Sequence, residues 1–367
     1  MKVIFTLLTF IPALLIAQQT ITKTITHDNE AREYTIYIPE IYNEYYPTPL
    51  MFSFHGYGSN QNIHMLLIND MRPIADTAGF IIVYPKGLPL LASPYNELHW
   101  NVGSWTKTSS SDDVGFTKVI IDSLTIDYNI DSNRVYSCGY SNGGYFSFEL
   151  ACQLNDKIAA IGTVSGSMTE RTYTSCNPSH PTPVVTINGT SDSVVYYSGG
   201  NSYDDNSKSL SVVNNYWSNF NNTDSVEQIN LPDVNTSDNS TVELSRYING
   251  DNCTSIEHYK VIGGKHEWPG SFGNMDINSS KIIWDFVSKF DKNGLIECLP
   301  TSTIRVEASP SLETVKLYPN PFYDQITVEL KQNTGKRIKI FNTIGKIVFS
   351  DFLTSGRNKI DLSYLPQ

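Results

Sequence analysis

Arg134-Val135-Tyr136-Ser137-Cys138-Gly139-Tyr140-Ser141-Asn142-Gly143-Gly144-Tyr145 is the stretch on which the reading of this chain turns. It starts as a short run of apolar, aromatic and small residues, the pattern of a strand buried on both faces. From Asn142 to Leu154 the period changes to that of a helix, with Tyr145, Phe148 and Cys152 on one face. Between the two lies Gly-x-Ser-x-Gly. A strand-to-helix turn this tight strains its central residue and lifts the serine hydroxyl above the sheet. Glycine is required at 139 and 143 because a Cβ there would meet the neighbouring strand or helix. Ser141 is therefore a candidate nucleophile, and its flanking elements make the fold α/β.

The alternation continues on both sides. Strands are predicted at Tyr34 to Ile38, Leu50 to Phe54, Phe80 to Tyr84, Ile158 to Val164, Val184 to Ile187 and His258 to Ile262. Helices are predicted at Asp112 to Leu124, capped by Asp112, and at Leu210 to Phe220 and Lys281 to Phe290. Short apolar strands alternating with helices make a mostly parallel sheet covered on both faces. The Asn/Ser/Thr-rich segment from Asn221 to Gly250 reads as a surface excursion outside the core.

A serine hydroxyl needs a base within hydrogen-bond reach, and that base needs a carboxylate to orient it. In a sheet of this kind the chain order is Ser, then Asp or Glu, then His, each on a loop after a strand. Asp192 follows the strand Val184 to Ile187, and His266 follows the strand ending at Ile262. His27 and His64 come before the elbow, His180 before the Asp192 strand, and His258 at the wrong end of its own strand. An oxyanion hole needs two backbone N–H groups, assigned here to Asn142 and to Tyr57 in His55-Gly56-Tyr57-Gly58. His55 is given a structural role. Trp100 and Trp268 are candidate aromatic walls of an acyl or sugar subsite, core packing being the other reading of Trp100. Asp112 and Asp113 are read as helix-capping groups.

In order along the chain, His55-Gly56, Trp100-Asn101, Asp112-Asp113-Val114-Gly115-Phe116, the Ser141 elbow, Gly189-Thr190-Ser191-Asp192 and His266-Glu267-Trp268-Pro269-Gly270 resemble one family. It is the secreted α/β-hydrolases that group polyhydroxybutyrate depolymerase-like proteins with feruloyl and acetylxylan esterases of carbohydrate esterase family 1. The resemblance covers about residues 30 to 295. It implies a serine esterase with an acyl-enzyme route, acting on feruloyl or acetyl esters of plant polysaccharide; no ligand cluster appears in the sequence, so no metal or organic cofactor is implied. A polyhydroxyalkanoate depolymerase is the alternative, and a non-catalytic carbohydrate-binding protein on an esterase fold is the alternative from another class. Asn188 stands where the family often has His, and Glu267 where it often has Thr.

Both ends read differently from the middle. Residues 1–17, with Lys2 before the apolar run Val3 to Ala17, read as a secretory signal peptide. Residues 18–298 are assigned to the esterase domain, 299–312 to a Ser/Thr/Pro-rich linker and 313–367 to a small all-β module. Leu317-Tyr318-Pro319-Asn320-Pro321, Ile338 to Phe341, Gly345-Lys346 and Ile360-Asp361-Leu362 resemble the C-terminal sorting domain of type IX secretion. Members of that family continue past Leu365 with another strand, so the module is expected to be incomplete. The resemblance makes the secretion machinery a partner and the cell surface or exterior the destination.

Composition narrows the partners. With 37 Asp and Glu against 26 Lys and Arg, the net charge of -11 argues against nucleic acid. No apolar segment in the mature region is long enough to span a membrane. The 22 Tyr residues and abundant Asn suit contact with carbohydrate. An exported chain can form disulfides, and its five cysteines lack CxxC spacing. Cys152–Cys176 and Cys253–Cys298 are the expected bridges, with Cys138 free.

Overall fold

The computed structural model describes residues 19–204, 206–298, 316–318, 325–330, 336–341 and 347–361. The signal-peptide and linker assignments lie outside these residues. The chain divides into two compact units, 1–299 and 300–367.

The first unit is built on ten strands: β1 (Gln19–His27), β2 (Glu30–Ile38), β3 (Thr48–Phe54), β4 (Ile81–Pro85), β5 (Ile130–Tyr140), β6 (Ala160–Val164), β7 (Val184–Gly189), β8 (Ser225–Asn230), β9 (Thr241–Ile248) and β10 (Ile256–Ile262). Their order across the sheet is β1-β2-β4-β3-β5-β6-β7-β10-β9-β8. The six middle strands are parallel, and antiparallel pairs extend the sheet at both edges. Every residue of β3, β4 and β6 is buried, as expected for strands with helices on both faces. The helices are α1 (Arg72–Ala78), α2 (Asp113–Asp127), α3 (Asn142–Gln153), α4 (Glu170–Ser175), α5 (Leu210–Phe220) and α6 (Ser279–Val287).

Three details differ from the sequence reading. Asn221 to Gly250 is not an excursion: β8 and β9 lie within it, and Val242 and Leu244 of β9 are buried in the core. The Asn, Ser and Thr residues that masked them lie mostly before β8 and between β8 and β9, and β8 itself is an edge strand with all six residues exposed. The helix after the elbow is also not amphipathic in place, because every residue from Asn142 to Cys152 is buried between the sheet and its neighbours. Finally, only Asp112 is a cap, accepting from Gly115 N–H at 2.8 Å. Asp113 is instead in a buried ion pair, its Oδ1 2.7 Å from Arg32 Nη2.

Cys152–Cys176 and Cys253–Cys298 are bonded, and Cys138 is free and buried, where desolvation pushes its thiol up to about 12. The bridges close loops with sequence separations of 24 and 45 residues. On chain-entropy grounds each contributes about 3–4 kcal/mol by restricting the unfolded chain.

Burial fixes three histidines in the neutral form. Desolvation lowers His55 to about 4, His64 to about 3 and His258 to about 4. His55 Nε2 accepts from Gly87 N–H at 2.9 Å, which leaves Nδ1 to donate to Gly56 O at 2.8 Å. His258 is held between Thr186 Oγ1 and Tyr197 OH, each at 2.7 Å. Because these values are depressed, the unfolded chain binds more protons than the folded one below pH of about 6.5, and acid favours unfolding. Each ring draws up to ~1.4 kcal/mol per pH unit between that point and its folded value. Tm should therefore fall steadily from about pH 6.5 to about pH 4.5; calorimetry showing a flat Tm across that window would contradict it.

The second unit holds β11 (Lys316–Tyr318), β12 (Gln325–Leu330), β13 (Lys336–Phe341), β14 (Ile347–Leu353) and β15 (Gly356–Asp361). They form antiparallel sheets in the orders β11-β12-β15 and β13-β14, around Ile326, Val328, Leu330, Leu353 and Ile360. The all-β expectation holds for the described residues.

Candidate active site

Ser141 sits between β5 and α3 with φ 54° and ψ -119°, a left-handed conformation disfavoured for a residue with a Cβ. Two glycines make the strained turn feasible. A Cβ on Gly139 would lie 2.2 Å from the Gly143 carbonyl oxygen, and one on Gly143 would lie 2.2 Å from that of Phe54. Both contacts are with backbone, so neither can be relieved by a rotamer. Ser141 N–H donates to Val164 O of β6 at 2.9 Å, and Ser141 O accepts the first helical bond from Tyr145 at 3.0 Å. The turn is thus bonded on both sides.

Asp192 and His266 meet across the ends of β7 and β10. His266 Nδ1 is 2.8 Å from Asp192 Oδ2, and the Asp192 side chain is almost fully buried. Its other oxygen, Oδ1, accepts from Val194 N–H and Val195 N–H, both at 2.8 Å, so the carboxylate cannot swing away from the ring. The two loops are also joined to each other: Ser191 N–H donates to Gly264 O at 2.8 Å, and Gly263 N–H to Thr190 Oγ1 at 2.9 Å. A Cβ at Gly189 would lie 2.3 Å from Gly264 O, which explains the glycine in Asn188-Gly189-Thr190.

Ser141 and His266 line one cavity of about 290 Å³ together with Gly56 and Tyr57. The loop expected to supply an oxyanion donor lies against the serine: a Cβ on Gly56 would lie 3.4 Å from that of Ser141. Asn142, the residue after the serine, is anchored through its amide. Oδ1 accepts from Trp100 N–H at 2.8 Å, and Nδ2 donates to Trp100 O at 3.1 Å.

The aromatic walls are not those expected. Trp100 is fully buried, its indole N–H donating to His55 O at 2.9 Å and its ring 5.3 Å from Phe146. Trp268 is buried too, with its indole N–H on Ser280 Oγ at 3.1 Å. Neither lines the cavity; Tyr57, Trp105, Tyr140 and Tyr203 do. Trp105 and Tyr203 stack at 6.1 Å, and among the described residues the buried Trp105 indole N–H has no partner. Glu267 turns inward, accepting from Lys265 and Asn274 N–H at 3.1 and 3.0 Å, which keeps it off the cavity wall.

Sequence reasoning also passed over Tyr140, inside the elbow motif. Its hydroxyl donates to His266 O at 3.0 Å, and its ring lies 4.9 Å from the imidazole. Burial pushes the phenol well above its ordinary range, so it stays a neutral donor. Among the described residues one group of three possible metal ligands comes together, His27, Asp28 and Asp112. It borders a different cavity, and Asp112 is already engaged as the α2 cap.

Residues 44–219 match the phospholipase/carboxylesterase family, and residues 316–367 match the secretion system C-terminal sorting domain. The chain is 27% identical over 248 residues to a bifunctional acetylxylan esterase/xylanase of Neocallimastix patriciarum, covering 67% of this chain and 32% of that protein. It is 30% identical over 208 residues to feruloyl esterase B of Piromyces equi, covering 52% and 33%. It therefore spans about a third of the length of these two relatives. The solved acetyl xylan esterase from Aspergillus awamori shares the fold, with TM-score 0.50 at 15% identity over 73% of this chain and 99% of that one. Among the described residues no helix is long and apolar enough to cross a membrane. Residues 44–219, which carry the strained elbow and the buried aspartate, are thus similar to the phospholipase/carboxylesterase family, and residues 316–367 to the secretion system C-terminal sorting domains.

Proposed function

We propose that this chain is a secreted serine esterase acting on feruloyl or acetyl esters of plant polysaccharide. One observation carries the mechanism: a histidine held on a buried aspartate at 2.8 Å opens onto the same cavity as a serine on a strained elbow. His266 takes the Ser141 proton as the hydroxyl oxygen attacks the ester carbonyl. Asp192 fixes the tautomer with the proton on Nδ1 and stabilises the imidazolium. The tetrahedral oxyanion is bound by the N–H groups of Asn142 and Tyr57. Collapse passes the proton from His266 to the departing alcohol and leaves Ser141 acylated. Water, deprotonated by His266, then releases the acid and restores the serine.

The test is hydrolysis of p-nitrophenyl acetate, with mass-spectrometric mapping of a fluorophosphonate adduct. Labelling at a residue other than Ser141 would overturn the mechanism. A panel of methyl ferulate, acetylated xylan and polyhydroxybutyrate then assigns the acyl group. The relatives' names favour the first two. The polyester reading has one observation of its own: exposed Leu66 and Leu67 stand beside Ile68, which lines the cavity.

Export through the sorting module, with a cell-surface or extracellular destination, belongs to the same proposal, as does the division into an esterase domain, a linker and a terminal module. The cavity is lined by residues between Gly56 and His266 alone. A chain ending at Cys298, which keeps both disulfides, should hydrolyse p-nitrophenyl acetate with unchanged kcat/KM. A loss of more than about tenfold with Tm preserved, equal to ~1.4 kcal/mol of transition-state stabilisation, would show that the module shapes the site.

A further inference from the structure

Away from the cavity, the outer face of α5 forms an open groove of about 550 Å³ lined by Tyr173, Val212, Asn215, Tyr216, Asn219 and Phe220. The helix spaces these residues in i, i+4 pairs, so two aromatics and two amides repeat along one face. The Tyr216 and Phe220 rings are parallel within 4°, with centroids 6.3 Å apart, and Tyr173 lies 5.4 Å from Tyr216. Asn215 and Asn219 are exposed, and among the described residues nothing engages their side-chain amides. In a protein of net charge -11, no acidic or basic residue lines this groove. Its floor is fixed: Tyr216 OH donates to Cys176 O at 3.2 Å, Cys176 is bonded to Cys152, and Val213 and Trp217 pack α5 into the core.

We propose that this groove is a second binding site, for the uncharged pyranose backbone of the ester-bearing polysaccharide. The inference rests on the polysaccharide-esterase reading above. Aromatic faces pack against the C–H faces of a sugar ring, while free amides supply both donors and acceptors to its hydroxyls. No charged side chain lines the groove, and Lys208, the cation beside Tyr173, is already paired with Glu170, so an anionic polymer would lose hydration without a free counter-charge and a neutral one is favoured. Continuity with the cavity supports the same occupant. The loop that places Tyr203 on the cavity wall goes on to Lys208, whose Nζ lies 4.6 Å from the Tyr173 ring centroid. The five residues from Tyr203 to Lys208 span at most about 18 Å, a length that a polymer of several sugar rings can follow from the groove to the rim of the cavity holding Ser141.

The experiment uses the full chain carrying Ser141→Ala, so that ligand is not consumed, in affinity electrophoresis with soluble xylan and with polygalacturonate. The parent should be retarded by xylan and not by polygalacturonate. Asn215→Asp/Asn219→Asp, both exposed and without packing duties, should weaken xylan retardation at least tenfold, as should Phe220→Ala if its Tm is close to the parent's. The same groove substitutions with Ser141 intact should leave p-nitrophenyl acetate kinetics unchanged and raise KM on acetylated xylan. Equal retardation of parent and both groove variants overturns the proposal, as does a parent that xylan does not retard. Failure of the intact protein to hydrolyse p-nitrophenyl acetate would instead strike the esterase reading, whatever the gel shows.

Discussion

Ser141→Ala is expected to lower kcat on p-nitrophenyl acetate on the order of 10⁴- to 10⁶-fold, with KM nearly unchanged. The serine supplies the oxygen that becomes acylated, and no other hydroxyl shares its left-handed turn between β5 and α3. His266→Ala should cost about as much, because an unassisted hydroxyl is a poor nucleophile. Asp192→Asn should cost about 10⁴-fold, since an amide favours the wrong imidazole tautomer. The three losses should not add: Ser141→Ala/His266→Ala should be no worse than the worse single variant, because the groups act as a unit. Residual rate above water then reports the oxyanion donors together with substrate binding. Ser141→Ala with near wild-type turnover would remove the elbow from the mechanism, whereas full additivity would mean that His266 acts on a different step. Tyr140→Phe offers a finer comparison. It deletes the bond to His266 O while keeping the ring 4.9 Å from the imidazole, so a change in the pH profile of kcat/KM would mark it as a positioning residue.

Much of this site was legible in the sequence because its constraints are local or ordered. The elbow needs glycines at fixed offsets, and the Asp and His must follow strands, so Ser141, Asp192 and His266 could be named before any fold was known. The backbone clashes at Gly139 and Gly143 are the physical form of that signature. What stayed hidden depends on the direction of side chains across long separations. Trp100 and Trp268 stood beside motif residues, yet both indoles satisfy their N–H groups inside the core. Trp105, five residues on from Trp100, is turned to the cavity by the Gly103 turn at φ 70°, a backbone state that no motif announces. The strands β8 and β9 were lost for a related reason. An exposed edge strand carries no apolar alternation, and β9 buries only part of one face against β10. Their polar composition described the sheet's margin correctly but hid that it was a sheet.

The Arg32–Asp113 pair extends the same argument from the site to the core that supports it. Both side chains are at most 2% exposed, with Nη2 and Oδ1 2.7 Å apart and the guanidinium 3.9 Å above the Phe116 ring. Asp113 also accepts from Ser111 Oγ and from Asn101 N–H, each at 2.8 Å. Asp113→Ala leaves the arginine charged and buried without its partner and frees the Asn101 amide. Breaking a buried pair on one side costs about 3–5 kcal/mol, far more than the pair contributes over an apolar substitute. At about 2–4 °C per kcal/mol for a domain of this size, Tm should fall by roughly 6–20 °C. Arg32→Met should fall comparably, and Arg32→Met/Asp113→Leu should recover part of the loss, because neither charge is then stranded. The consequence should reach the chemistry as well. Asn101 follows Trp100, whose backbone is clamped on both sides by the Asn142 amide, and Asn142 carries the proposed oxyanion N–H. Measured well below its Tm, Asp113→Ala should therefore lose kcat while KM for p-nitrophenyl acetate holds, the mark of a donor displaced in the transition state. If calorimetry finds Asp113→Ala within about 2 °C of wild type, water has reached the pair and its burial does not govern this domain.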